Sequence, residues 1–115
     1  MIKVFIDSNR LNFGMVGHSE FGPVGSDIVC AAATMLASTL IESVTDKLEP
    51  SEVVECALNS GYAQLKVFPL RKKDKRACRT IYDAICKGFR LLAKRYPEHV
   101  SIDETGVLHR PDEML

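Results

Sequence analysis

The sequence predicts an α+β domain with the element order ββαββα, followed by one or two short C-terminal strands. Short stretches that alternate apolar and polar residues indicate strands, and turn residues join them in pairs, as in hairpins of a mostly antiparallel sheet. Two longer stretches with apolar residues at helical spacing indicate two main helices, and we expect the first helix to be central and buried. The length predicts one domain over residues 1–115, with residues 104–115 as a loosely ordered tail.

The first half of the chain contains a hairpin and the first helix. Residues 2–7 alternate as Ile-Lys-Val-Phe-Ile-Asp, and residues 11–17 form a second strand after the turn Ser-Asn-Arg. Ser26 or Asp27 provides an N-cap, and the helix extends to about Lys47, shortly before a proline. Because the helix is apolar almost all round, we expect it to be covered by the sheet and also by the second helix, a lid or another subunit.

The second half repeats this order. Residues 52–68 predict a second hairpin with Asn59-Ser60-Gly61 as its turn, and residues 73–95 predict a second helix. Apolar residues recur along that helix at intervals of three and four, so one of its faces should lie on the core. Residues 100–103 and 106–109 predict a last short hairpin.

The charges of the chain balance, with 15 basic and 15 acidic residues. This balance predicts no general nucleic-acid binding, which usually needs a basic excess, although a local basic patch is compatible with it. The sequence has no uninterrupted apolar stretch of membrane-spanning length, and its charged, alternating N-terminus differs from a signal peptide. We therefore expect a cytoplasmic protein without a membrane segment. The glycine-rich motifs that bind nucleotide phosphates do not occur in the sequence.

The four cysteines, Cys30, Cys56, Cys78 and Cys86, include no C-x-x-C pair. A zinc site normally needs such close pairs, and structural disulfides are rare in cytosolic proteins, so we expect no metal and no disulfide. The same spacing disfavours a thiol redox protein. Cys56, Cys78 and Cys86 lie on apolar faces of their predicted elements and should be small core residues.

One segment, GHSEFGPVGSDIVC over residues 17–30, combines a histidine, a glycine-rich loop and a cysteine. Cys30 falls within or at the edge of the first turn of the predicted helix, where unpaired amides and the helix dipole favour a thiolate. The alternative is ordinary packing of a small residue in an alanine-rich helix. His18 ends the preceding strand, so it could lie close enough to act as the base of the cysteine, or it could be a surface histidine.

The neighbours of these two residues each have alternative roles. Asp27 could orient His18, accept amides of the loop, or simply cap the helix. Thr34, one turn after Cys30, could hydrogen-bond near the sulfur or bond back to the Cys30 carbonyl. A close backbone approach at Gly17 would leave its amide free for a substrate or an oxyanion. The loop could fold over a bound peptide or be a plain connector; it consists of Ser19, Glu20, Phe21, Gly22, Pro23, Val24 and Gly25.

The same residues resemble the signature of a known family. Gly17-His18-Ser19, a short loop, and then Gly-Ser-Asp-Ile-Val-Cys-Ala-Ala over residues 25–32 resemble the ribosomal-processing cysteine proteases, the Prp family. That signature places G-H-[AS] at a strand end and D-I-[VL]-C-A-A at a helix start. The resemblance continues in residues 1–4, 58–66 and 91–100 and covers the chain to about residue 103. A threonine stands one turn after the cysteine, where the family often has serine, and the C-terminal tail is longer than the family leads us to expect.

The resemblance implies a bacterial, cytosolic cysteine endopeptidase made of a single protease domain. Such an enzyme forms homodimers and removes a short N-terminal extension from a large-subunit ribosomal protein. By the motif, Cys30 matches the nucleophile and His18 its base, with Gly17 and Asp27 beside them. Residues 19–25 match a mobile loop over the substrate, and the reaction requires no metal or cofactor.

The alternative is a protein without catalytic activity. The basic run Arg-Lys-Lys-Asp-Lys-Arg over residues 71–76 is compatible with a dimeric ribosome-associated binding or assembly protein that contacts rRNA through residues 71–95. The run could equally be the solvated start of a helix. Cys30 separates the two functions, because a protease needs its thiol and a binding protein tolerates alanine there.

Overall fold

The computed structural model describes residues 1–18, 22, 27–49, 52–59, 61–67 and 71–104. Its element order confirms the predicted α+β class and its ββαββα arrangement with a further C-terminal strand. The elements are β1 (Ile2–Asp7), β2 (Asn12–Val16), α1 (Ile28–Thr45), β3 (Val53–Asn59), β4 (Tyr62–Val67), α2 (Lys72–Arg95) and β5 (Val100–Asp103).

The five strands form one sheet in the order β3-β4-β2-β1-β5. The pairs β1–β2, β2–β4 and β3–β4 are antiparallel, which confirms both predicted hairpins. The strand β5 lies parallel to β1 at the sheet edge, with Val100 opposite Ile2. Of the predicted last hairpin, β5 is the first strand, and the second, residues 106–109, lies outside the described residues.

Both helices contribute side chains to the core that covers one face of the sheet. The ring centroids of Phe13 on β2 and Phe89 on α2 lie 5.1 Å apart, and Leu65 on β4 is fully buried in the same cluster. The Tyr82 hydroxyl of α2 donates to the backbone carbonyl of Asn12 at 2.6 Å, so this buried phenol has its hydrogen-bond partner.

The helix α1 packs through small residues, in agreement with the prediction of a central helix. Six of its side chains are buried in the core: Val29, Ala33, Ala37, Leu40, Ile41 and Val44. Its contact with α2 is close, because a Cβ on Gly88 would lie 2.8 Å from a methyl carbon of Leu36. Of the covers predicted for α1 besides the sheet, the structure shows the second helix, and one side of α1 remains uncovered, since Ile28 is 57% and Met35 66% exposed. The outer face of α1 is apolar and open.

The composition of α1 also passes a simple test for membrane helices. With 18 residues and a mean hydropathy of 1.6, it is long and apolar enough to cross a membrane by length and composition alone. Its burial gives this composition a second explanation, because six of its side chains belong to the core. The absence of a membrane segment stays a prediction.

The structure corrects one cysteine prediction. Cys78 and Cys86 are buried in α2 as expected, whereas Cys56 is exposed on β3, and all four thiols are free. Cys56 pairs with Leu65 of β4, and directly opposed residues of an antiparallel pair share a face of the sheet. Cys56 therefore lies on the helix-bearing face, but β3 is the edge strand, and the helices leave Cys56 uncovered there.

Candidate active site

A side chain caps the start of α1. Asp27 is the N-cap, with extended backbone angles, and its carboxylate accepts a hydrogen bond from the Cys30 amide at 2.9 Å. Of the two predicted caps, Ser26 lies outside the described residues. Because α1 begins at Ile28, Cys30 is the third residue of the helix and belongs to its first turn.

This position puts the Cys30 thiol at the N-terminal end of α1, beside the Asp27 carboxylate. The side chain is partly buried, and the helix dipole places positive potential at the first turn. The first backbone bond of the helix runs from the Ala31 amide to the Asp27 carbonyl at 3.0 Å, so the preceding amides of Ile28 and Val29 have no acceptor within the helix. The Cys30 amide itself is occupied by Asp27. Any helix-start donors for an oxyanion are therefore the amides of Ile28 and Val29.

The end of β2 is held by the β3–β4 turn and by the N-terminus. The Gly17 amide donates to the Gly61 carbonyl at 2.8 Å, and Gly17 has a φ of +100°. A Cβ at this position would lie 2.3 Å from the Met1 carbonyl oxygen, so only glycine fits. The close backbone approach predicted at Gly17 is present, but the prediction of a free amide is wrong, because Gly61 accepts that hydrogen bond.

His18 follows directly and is exposed, with its imidazole against Gly61. A Cβ on Gly61 would lie 2.7 Å from His18 Nε2 and 3.1 Å from Cε1. The sequence reasoning missed Gly61 as a site residue. The only sequence signal was its place in the Asn-Ser-Gly turn, which a hairpin explains by itself.

The structure brings the predicted site residues together in two groups. Asp27 contacts Cys30 at the start of α1, and Gly17 and His18 contact Gly61 at the end of β2. His18 and Cys30 are not hydrogen-bonded to each other in this structure, and their pairing stays a prediction. Catalytic hydrogen bonds are often long without substrate, so a dyad does not require a hydrogen bond between the two residues here.

Thr34 is exposed, and its hydroxyl has no partner among the described residues. Of its two predicted alternatives, the back-bond to the Cys30 carbonyl is therefore not made, although Ser38, Thr39 and Thr45 make such bonds one turn back along α1. Of the predicted loop, Gly22 is an exposed bend, and Ser19, Glu20, Phe21, Pro23, Val24 and Gly25 lie outside the described residues.

Within the described ranges, no group of three or more His, Cys, Asp or Glu side chains could hold a metal ion. The expectation that the protein uses no metal or cofactor stays a prediction. A second surface is strongly charged: Lys72, Lys73, Lys75 and Arg76 at the start of α2 are all exposed. None of these four cations has an ion-pair partner among the described residues.

A family model covers this arrangement from β1 into β5, and it is that of a cysteine protease. The chain belongs to that family, the cysteine protease Prp, whose model matches residues 1–101. The comparison with curated proteins finds no match.

Three solved structures share the fold. The essential ribosomal processing protease Prp from S. aureus, in complex with a covalently linked product peptide, is 20% identical with a TM-score of 0.74; the match covers 91% of this chain and 100% of that chain. The same protease with a substrate peptide is 18% identical, with a TM-score of 0.69 and the same coverage. SMU.848 from Streptococcus mutans is 23% identical with a TM-score of 0.66, and the match covers 90% of each chain.

Proposed function

We propose that this protein is an endopeptidase that uses a His18–Cys30 dyad to remove a short N-terminal extension from a large-subunit ribosomal protein. The observation that carries the proposal is the place of Cys30 in the first turn of α1, where the helix dipole favours the thiolate. Membership of a cysteine protease family supports it. The S. aureus relative is a ribosomal processing protease and has been seen with substrate and product peptides, which supports a peptide substrate.

The reaction follows from the two side chains. His18 takes the proton from the Cys30 sulfur, and the thiolate attacks the carbonyl carbon of the scissile peptide bond. The amides of Ile28 and Val29 stabilise the oxyanion of the tetrahedral intermediate. His18 then protonates the leaving amine as the C–N bond breaks, and water hydrolyses the remaining thioester. No step needs a metal or a cofactor.

Other parts of the segment support this chemistry. Asp27 holds the first turn of α1 together and so places the sulfur. Residues 19–25 are the substrate-binding loop of this proposal, and Thr34 offers an exposed hydroxyl one turn beyond the nucleophile.

We further propose that the protease domain spans residues 1–115 and acts as a cytoplasmic homodimer. The open apolar face of the helical layer supports association, since Ile28, Met35 and Leu91 are large and more than half exposed. A second copy is the partner that the family resemblance implies.

The second candidate function is that of a dimeric ribosome-associated binding or assembly protein without catalysis. The exposed cations at the start of α2 favour it, because a surface of this kind suits the phosphates of rRNA. Placement of Cys30 at a capped helix start favours the protease instead.

One experiment separates the two functions. Purified protein is incubated with an N-terminally extended large-subunit ribosomal protein, and the intact mass of the product is measured. The protease predicts loss of the extension by wild-type protein and by Cys56→Ala, the matched control at an exposed thiol, and no loss with Cys30→Ala. Cleavage by folded Cys30→Ala at the wild-type rate would end the protease proposal and favour the binding protein.

A further inference from the structure

The turn between β3 and β4 contacts the end of β2 at two points. The first contact is the hydrogen bond from the Gly17 amide to the Gly61 carbonyl at 2.8 Å. The second is the His18 imidazole, which lies directly against Gly61. Both contacts follow from the register of the sheet, because Val16 of β2 pairs with Tyr62 of β4, and this pairing brings Gly17 beside Gly61.

Gly61 meets two separate requirements. Its φ of +75° is a left-handed conformation, which asparagine also adopts readily. Its missing side chain is the second requirement, because a Cβ would lie 2.7 Å from Nε2 of His18, well inside the normal contact distance of about 3.5 Å. With any other residue at this position, the His18 ring would have to shift from the place it occupies here. The turn conformation alone therefore does not explain the residue at position 61.

The space left by the missing side chain is occupied by the imidazole. The three ring atoms closest to it are Nε2, Cε1 and Cδ2, at 2.7, 3.1 and 3.4 Å from the Cβ position, so Nδ1 lies farther from Gly61 than Nε2 does. His18 is otherwise exposed and follows the last paired residue of β2, so its own strand restricts its rotation little. The contact with Gly61 is therefore the one that distinguishes this orientation of the ring from others in the structure's description of His18.

We propose that Gly61 is a positioning residue that orients the His18 imidazole for proton transfer with Cys30. The inference rests on the proposed function for its catalytic consequence, but the contact itself can be tested without catalysis. Gly61 acts through His18 and does not touch the substrate. Its replacement should therefore lower kcat and leave KM almost unchanged.

The test compares Gly61→Ala and Gly61→Asn with a matched control, Gly88→Ala. A Cβ at Gly88 would lie 2.8 Å from a Leu36 methyl carbon, so the control adds an equally close contact on α2, away from His18. We expect both Gly61 variants to lower kcat by about 100-fold, as a displacement of about 1 Å can do, with KM within about threefold of wild type. The asparagine variant keeps the left-handed turn, so a loss of kcat in a folded Gly61→Asn protein is not a turn effect. We expect Gly88→Ala to keep the wild-type kcat.

A second measurement tests the contact independently of cleavage. The ring resonances of His18 are followed by NMR in wild type, in Gly61→Asn and in Gly88→Ala. We expect Gly61→Asn to change these resonances and Gly88→Ala to leave them unchanged. A double-mutant cycle on the free energy of unfolding provides a third measurement. Gly61→Asn should be less destabilising in a His18→Ala background, where no ring opposes the new side chain.

The outcomes are distinct. If wild-type protein cleaves through Cys30, but Gly61→Asn keeps the wild-type kcat and the His18 resonances, the positioning inference is wrong and the protease stands. If wild-type protein does not cleave, the proposed function is wrong, and the His18 resonances and the stability cycle still decide whether Gly61 orients the ring. Unchanged resonances together with an additive cycle would overturn the inference in either case.

Discussion

The two helices of this protein each begin at the positive end of a helix dipole, but the two starts differ in their caps and in the charges of their first turns. The start of α1 has a side-chain cap, Asp27, which accepts from Cys30, and no basic residue follows in the first turn. The start of α2 has Arg71 at the N-cap with no side-chain cap bond, and its first turn contains three lysines and Asp74. Cations oppose the dipole at a helix start, and this charge lowers the stability of α2 there. The start of α2 carries the charge, and the start of α1 carries the cysteine that we propose as the nucleophile.

This difference shows what distinguishes a reactive site from a charged surface. At the start of α1, a cap, a half-buried thiol and unbonded backbone amides lie within one turn. At the start of α2, the charge is greater, but no nucleophile accompanies it, because the cysteines of that helix are buried farther along. We therefore expect catalysis at the start of α1 and, at most, binding at the start of α2.

The largest effect on activity is expected from a change at the start of α1. We expect Cys30→Ala to lower peptide cleavage by at least about 10⁴-fold, as removal of a catalytic nucleophile does, while the fold is kept because little volume is lost. Circular dichroism checks the fold, and fluorescence anisotropy of a labelled peptide should show retained binding. Cys56→Ala is the control and should cleave normally. A folded Cys30→Ala protein with wild-type turnover contradicts the assignment.

The next effect is the loss of the base. We expect His18→Ala to lower kcat by about 10²- to 10⁴-fold, because a neutral thiol without a base is a poor nucleophile. The measurement is peptide turnover near neutral pH. His99 offers the control, since it lies between α2 and β5, and its backbone carbonyl accepts from the Ile2 amide whatever its side chain is. A His18→Ala protein as active as a His99→Gln protein would show that another group is the base.

Prediction from the sequence was most successful where local patterns decide the structure. Hairpin alternation and helical spacing predicted the strands and helices, and Asp27 was one of the two predicted caps of α1. Each of these features depends on residues a few positions apart, so the sequence displays it directly. The thiol in the first turn of α1 follows from the same local pattern.

Prediction was wrong where the outcome depends on which surface another element covers. Periodicity placed Cys56 on an apolar face, but the edge position of β3 leaves that face open. The hydrogen bond that occupies the Gly17 amide, and the contact of His18 with Gly61, join residues more than forty positions apart. These contacts arise from the pairing of β2 with β4, and neither hairpin pattern encodes that pairing.

A smaller effect concerns the cap of α1. We expect Asp27→Ala to lower the free energy of unfolding by about 1 kcal/mol, because the Cys30 amide loses its acceptor. Asp27→Asn should keep most of this stability, since asparagine caps nearly as well. Urea denaturation measures both variants. Equal destabilisation by the two changes would mean that Asp27 acts through its charge and not as a cap.

Adding a cap to the start of α2 is the opposite of removing the cap from α1. We expect Arg71→Ser to raise the free energy of unfolding by about 0.5 kcal/mol, because a new cap outweighs loss of the exposed Arg71–Asp74 ion pair. Thermal or urea unfolding would detect the gain. Destabilisation instead would show that the ion pair, and not the missing cap, decides the stability of this helix start.

The smallest effect is expected from the basic surface. Replacing Lys72, Lys73 and Lys75 together by glutamine should leave kcat/KM for a short peptide within about twofold of wild type, because these exposed side chains belong to the start of α2 and not to that of α1. A loss of two orders of magnitude in kcat/KM would place the substrate at the start of α2 and contradict the assignment of the site to α1.

The relative reactivity of the Cys30 and Cys56 thiols tests whether the start of α1 activates its cysteine. The measurement is peptide mapping after brief labelling of the native protein with iodoacetamide at neutral pH. Cys78 and Cys86 are buried, and burial raises the pKa of both thiols, so they should label slowly. Cys56 is the more exposed of the other two, but it lies on a strand with no helix dipole. We predict that Cys30 labels at least about tenfold faster than Cys56, because the helix start favours its thiolate. If Cys56 labels as fast as Cys30 or faster, exposure alone governs these thiols, and the start of α1 does not activate its cysteine.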